Sequence, residues 1–121
     1  MNEIAPRPHN SGHYTIEACV TSQFEQNVRA ILGLPLGDPS LKVNAAGMLN
    51  VLGQSTMELT MAPIERALTL PGASAHWYGK SEIRPRRKLG HITVVGSSTQ
   101  EVASKLQELQ GIPSKPGMFN K

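Results

Sequence analysis

Two groups of residues have the types and spacing to handle anions. The first is the heptapeptide Arg7-Pro8-His9-Asn10-Ser11-Gly12-His13. Arginine presents a planar fork of donors that matches carboxylate, bicarbonate or phosphate. Histidine can donate a hydrogen bond or move a proton near neutral pH, and asparagine offers both a donor and an acceptor. Gly12 permits close approach of backbone. The set suits a small oxyanion, and it equally suits a rigid surface loop whose polar groups meet water. The second group is Lys80 with Arg84, Arg86, Arg87 and Lys88. Cations this close repel one another unless an anion or solvent intervenes. A phosphate site and a solvated basic turn are both compatible with that run. Glu3, beside Asn2, adds a single carboxylate, which fits either an exposed side chain or one oxygen of a Mg²⁺ shell.

Other chemistries are excluded or disfavoured. His9 and His13 are four apart in a proline-rich loop, not on a helix, and Cys19 is the only cysteine, so zinc-type ligand spacing is absent. Cys19 has no basic neighbour in sequence and reads as a small buried hydrophobe. Trp77 and Tyr78 adjoin the basic run, but with only 4% aromatics Trp77 is expected in the core, and nucleic acid is not an expected partner.

These residues need elements to hold them. Pro6 and Pro8 restrict the backbone of the N-terminal stretch, which reads as a stiff extended loop through His13. Ser22 and Glu25 have capping-box spacing, and Phe24, Val28, Ile31 and Leu32 then share one helical face, ending at Gly33 and Pro35. Ala45 to Leu52 is an apolar run with strand character. Pro63 predicts a short helix that starts near it and runs to about Leu68. Strands are predicted over Ala73–Tyr78 and Leu89–Val95, flanking the basic loop Gly79–Lys88. Ser98 and Glu101 repeat the capping spacing before a stripe of Val102, Leu106 and Leu109, and Gly111 and Pro113 end that helix. The order predicts an α+β fold, a small sheet with its apolar face covered by helices.

The chain has 121 residues, 39% of them hydrophobic and 17% charged, with a formal net charge of +3. One modest core fits that length. A lone cysteine, no leader-like start and no apolar run of membrane-spanning length lead to the expectation of a cytoplasmic protein with no membrane partner.

The string Asn2–Gln26, NEIAPRPHNSGHYTIEACVTSQFEQ, closely resembles the ATP-dependent component of phosphoribosylaminoimidazole carboxylase, also called carboxyaminoimidazole ribonucleotide synthase. Leu70–Gly96, LPGASAHWYGKSEIRPRRKLGHITVVG, is similar to the same family in order and spacing. The resemblance covers nearly all of residues 2–110. It implies an ATP-grasp fold and a reaction of purine biosynthesis. ATP activates bicarbonate as carboxyphosphate, and the carboxyl passes to the amine of aminoimidazole ribonucleotide. By residue, it implies that Asn2 and Glu3 lie near ATP with Glu3 on Mg²⁺. Arg7, His9 and Asn10 would face bicarbonate and the ribonucleotide, and Lys80 and Arg87 would hold the ribonucleotide phosphate. It divides the chain into residues 1–40, the end of an ATP-grasp C-terminal lobe; residues 41–111, a small α/β subdomain; and a flexible tail, 112–121.

The resemblance further implies ATP-grasp domains that this chain does not contain, so the chain alone is expected to be inactive, and it makes a homo-oligomer an expectation. Two positions depart from the family pattern: Arg86, where a smaller residue is usual, and Asn27, where histidine is common. The alternative from a different class is a non-catalytic anion-binding or assembly module.

Overall fold

The computed structural model describes residues 2–111; the expected tail at 112–121 lies outside the described residues. A 3-10 turn at Asn10–Gly12 is followed by helices α1 (Thr15–Ala18) and α2 (Gln23–Ile31). Strand β1 (Ala45–Leu52), helix α3 (Met57–Leu68), strands β2 (Ala73–Trp77) and β3 (Lys88–Gly96), and helix α4 (Thr99–Leu109) complete the chain. The fold is α+β, as the pattern of elements predicts.

The three strands form one antiparallel sheet in the order β1-β3-β2. β3 carries the run of leucine, isoleucine, threonine and valine and takes the centre, where both faces are covered: Leu89, Ile92, Thr93 and Val94 are fully buried. On one face Ala45, Val51, Ile92 and Val94 pack against Ile64 and Ala67 of α3 and Val102 and Leu109 of α4. Gly47 of β1 lies under α4, where a side chain would collide with Val102 and Leu106. The opposite face is covered by the N-terminal segment. Ala18 is fully buried there, and Val20 N–H···O Ser40 and Lys42 N–H···O Ala18 bonds of 3.0 and 2.8 Å tie α1 to the approach to β1.

Helix starts follow their caps. Ser22, Thr56 and Ser98 each accept a hydrogen bond from the backbone N–H three residues on. In α4 the Glu101 carboxylate reaches back to the N–H and hydroxyl of Ser97, one residue ahead of the cap, and these bonds hold its pKa down at about 2.

Three expectations are corrected by the structure. α3 starts at Met57, six residues before Pro63, so the proline lies inside the helix. The stronger start signal is Thr56, whose hydroxyl caps Leu59 N–H at 3.1 Å. The N-terminal loop is not extended throughout, because it closes into the 3-10 turn at Asn10–Gly12. Trp77 is not a core residue but 38% exposed, since it ends an edge strand opposite Gly90. The apolar stripe of α2 forms at the expected spacing, yet Phe24, Val28, Ile31 and Leu32 are all exposed and none of α2 is buried.

Candidate functional site

The N-terminal segment reads out the sheet one strand at a time. Asn50, His91 and His76 lie side by side across β1, β3 and β2. Asn10, His13 and Glu17, spaced on one side of the 3-10 turn and α1, each meet one of them. Asn10 and Asn50 exchange two amide hydrogen bonds of 2.7 and 3.1 Å. The His13 and His91 rings have centroids 5.0 Å apart. His76 Nε2 bonds the Glu17 carboxylate and its ring stacks on His91 at 4.3 Å and 13°. The result is a polar seam of three rungs that holds the loop Arg7–His13 on the second face of the sheet.

Gln23 completes the loop from the other side. Its Oε1 accepts from His9 N–H at 3.0 Å, and its Nε2 donates to the His9 carbonyl and to His13 Nδ1, both at 2.9 Å. The two backbone bonds fix the amide's orientation, so His13 Nδ1 must accept and the ring is neutral. Burial, with His76, His9 and Lys88 nearby, lowers the His13 pKa in agreement. A side chain at Gly12 would overlap the Gln23 amide, which explains the glycine. His9 caps the 3-10 turn by accepting Ser11 N–H at Nδ1, 3.2 Å, leaving Nε2 for other partners.

His91 is 2% exposed and sits where the seam meets a cleft of about 420 Å³ walled by His13, Phe24, Trp77 and Tyr78. Its Nδ1 shares a 2.7 Å hydrogen bond with the Tyr78 hydroxyl, and its Nε2 is buried without a partner. Burial, then His76 and His13, push its pKa down to about 4, so the ring is neutral at physiological pH. Burial also raises the Tyr78 pKa.

The basic loop is built from its own carbonyls. Lys80 Nζ donates to the Lys88 carbonyl at 2.7 Å and lies 5.7 Å from the Tyr78 ring centroid. Arg87 donates to the Glu82 carbonyl at 3.1 Å, and Arg84 pairs with the Glu82 carboxylate. Lys80 and Arg87 are thus brought to one loop and oriented, whereas Arg84 is neutralised locally. Arg86 has φ +66°, a left-handed conformation that costs a non-glycine residue roughly 1 kcal/mol. Glycine, with no Cβ, would be free of that cost. The turn is pinned on Gly53, whose N–H bonds the Arg87 carbonyl and whose carbonyl accepts from Arg86.

The remaining expected residues are placed less tightly. Asn2, Glu3 and Arg7 are exposed, with an Arg7 guanidinium N–H 3.3 Å from the Pro8 carbonyl. Among the described residues there is no group of three or more His, Cys, Asp or Glu that could hold a metal, and Glu3 stands outside any such group. Cys19 is buried, as expected of a small hydrophobe. Sequence reasoning passed over Gln23, Asn50, His91, His76 and Glu17. One signal was available: Asn50 and His91 are polar interruptions of otherwise apolar strands.

Residues 46–105 match the phosphoribosylaminoimidazole carboxylase C-terminal domain, and residues 1–24 match the ATP-grasp domain. The chain is 57% identical over 110 residues to the chloroplastic phosphoribosylaminoimidazole carboxylase of Vigna aconitifolia, covering 88% of this chain and 20% of that protein. It is 48% identical over 109 residues to the N5-carboxyaminoimidazole ribonucleotide synthase of Aquifex aeolicus, covering 90% of this chain and 28% of that protein. A crystal structure of N5-carboxyaminoimidazole synthase from Aspergillus clavatus, in complex with ADP and 5-aminoimidazole ribonucleotide, superposes with a TM-score of 0.82 at 43% identity. It covers 90% of this chain and 29% of that one. The fold and the two matched segments define the C-terminal region of an ATP-grasp protein. The chain belongs to the phosphoribosylaminoimidazole carboxylase (N5-carboxyaminoimidazole ribonucleotide synthase) family. It spans between 20% and 33% of the length of such relatives. No described helix is long and apolar enough to cross a membrane.

Proposed function

We propose that this chain is the C-terminal part of an enzyme of purine biosynthesis that uses ATP and bicarbonate to carboxylate aminoimidazole ribonucleotide. One observation carries the reading. A segment of ATP-grasp type and the carboxylase C-terminal domain occur in that order on one chain, on the backbone of a relative solved with ADP and aminoimidazole ribonucleotide. In this reading residues 1–40 close an ATP-grasp lobe and residues 41–111 form the small subdomain beside it.

The chemistry fits the two loops. Bicarbonate takes the terminal phosphoryl group of ATP to give carboxyphosphate and ADP, and the ribonucleotide amine then attacks the carboxyl carbon as phosphate leaves. Arg7 stabilises the developing charge with a paired donor fork. His9, with Nδ1 committed to its own turn, offers Nε2 to the reacting oxyanion. Asn10 keeps one amide proton and acceptor capacity beyond its bonds to Asn50. Lys80 and Arg87, pre-oriented by backbone carbonyls, meet the ribonucleotide phosphate. Asn2 and Glu3 lie toward ATP. Glu3 would contribute one oxygen to a Mg²⁺ ion, whose chemistry there is to neutralise phosphate charge, with the other ligands drawn from outside this chain. The compartment proposed is the cytoplasm.

The test is a chimera in which this chain replaces the matching C-terminal segment of the Aquifex aeolicus synthase. ATP turnover that depends on both bicarbonate and aminoimidazole ribonucleotide is expected, and Arg87→Ala should raise the KM for the ribonucleotide more than that for ATP. A folded chimera with no such turnover, beside an active parent, refutes the proposal. The isolated chain should turn over no ATP.

A further inference from the structure

His91 touches both segments that the proposed chemistry uses. On one side its ring packs 5.0 Å from His13, which Gln23 ties to the carbonyl of His9. On the other its Nδ1 lies 2.7 Å from the Tyr78 hydroxyl. Tyr78 leads directly into the basic loop: Gly79 turns the chain with φ +68°, and the Lys80 ammonium sits by the Tyr78 ring. His91 itself is fixed at the middle of the central strand, in register with Asn50 and His76. Packing alone does not account for an imidazole there. The ring is buried, and leaving Nε2 without a partner costs stability that an aliphatic side chain of similar size would not. The polar contact the imidazole does make is the one that orients Tyr78.

We propose that His91 is a positioning residue that sets the distance between the segment Arg7–His13 and the loop Gly79–Lys88, acting through His13 on one side and Tyr78 on the other. This rests on the preceding reading of what the two segments bind. A bridging ligand with a reacting group at one end and a phosphate at the other needs both ends held at a set spacing, and a misplacement of about 1 Å can cost on the order of a hundredfold in rate. The titratable and charged groups around His91 are His13 from the N-terminal loop, Glu17 of α1 through its bond to His76, His76 and Tyr78 on the β2 side, and Lys88 at the start of β3. From β1 it faces the neutral Asn50.

The experiment compares His91→Leu, His91→Asn and Tyr78→Phe in the Aquifex chimera. Leucine fills the space and removes the hydrogen bond; asparagine keeps an amide near the position of Nδ1. The expected result is a roughly ten- to hundredfold rise in KM for the ribonucleotide with leucine, little change in KM for ATP, and recovery with asparagine. Tyr78→Phe, the milder change, should reproduce the leucine effect. Unchanged constants in folded His91→Leu and Tyr78→Phe chimeras overturn the proposal, as does an equal rise in both KM values, which marks general loosening. A wild-type chimera without activity removes the functional reading, and the positioning role is then decided on the 121-residue chain by NMR. At neutral pH, His91→Leu should shift the backbone amides of both residues 7–13 and residues 79–88, whereas Tyr78→Phe should shift only those of 79–88. Amides of either segment left unshifted by His91→Leu overturn it.

Discussion

Acid should unfold this chain in a window set by His91. The folded state holds the His91 pKa at about 4, against an ordinary value of 6.5. Between those values the unfolded chain binds more protons than the folded one, so stability rises with pH and is lost as pH falls from 6.5 through 4. Integrating that difference, the loss from neutral pH is ~2 kcal/mol at pH 5 and approaches ~3 kcal/mol below pH 4. His13 acts in the same direction, because its pKa is also lowered and its Nδ1 must stay unprotonated to accept from Gln23. Glu101 contributes at the acid end of the window and beyond, where its carboxylate is protonated as pH falls toward about 2. The assay is urea unfolding at a series of pH values for the wild-type chain and His91→Asn. The difference between the two curves isolates the imidazole. The wild type should lose stability faster than the variant between about pH 6.5 and 4.5. Parallel curves would refute the reasoning, because they would show that burial in the seam does not keep His91 neutral.

Four further outcomes follow from the packing. Asn10→Ala and Asn50→Ala should each destabilise by roughly 1–2 kcal/mol, and the double variant by clearly less than their sum, in a cycle of denaturant midpoints. Arg86→Gly should stabilise by up to about 1 kcal/mol by relieving the left-handed backbone, whereas Gly53→Ala should destabilise by about 1–3 kcal/mol by driving a Cβ into the Arg84 carbonyl. Thermal or urea unfolding reads both. Leu109→Ala, at a fully buried α4 position in the core, should cost about 2–5 kcal/mol in the same measurement.

Local signals placed most of the elements. β1 was legible from its apolar run and α4 from the Ser98 cap and the stripe from Val102 to Leu109, because both depend on neighbours close in sequence. The start of α3 was misplaced because proline is a strong local marker, yet Thr56, seven residues before Pro63, offered the better cap. For the candidate site, the sequence named two segments able to meet an anion and, through family resemblance, proposed roles for Arg7, His9, Asn10, Lys80 and Arg87. Their joining lay beyond it. Residues 10, 13 and 17 meet residues 50, 91 and 76 only because β1 and β2 both pair with β3 in one register and α1 returns across that face. Register is a property of three strands at once, decided by which side of each can be buried. What the sequence determined by itself was which groups could hold an anion; the tertiary structure decided how the two loops are held together, through a buried histidine that local pattern reading does not single out.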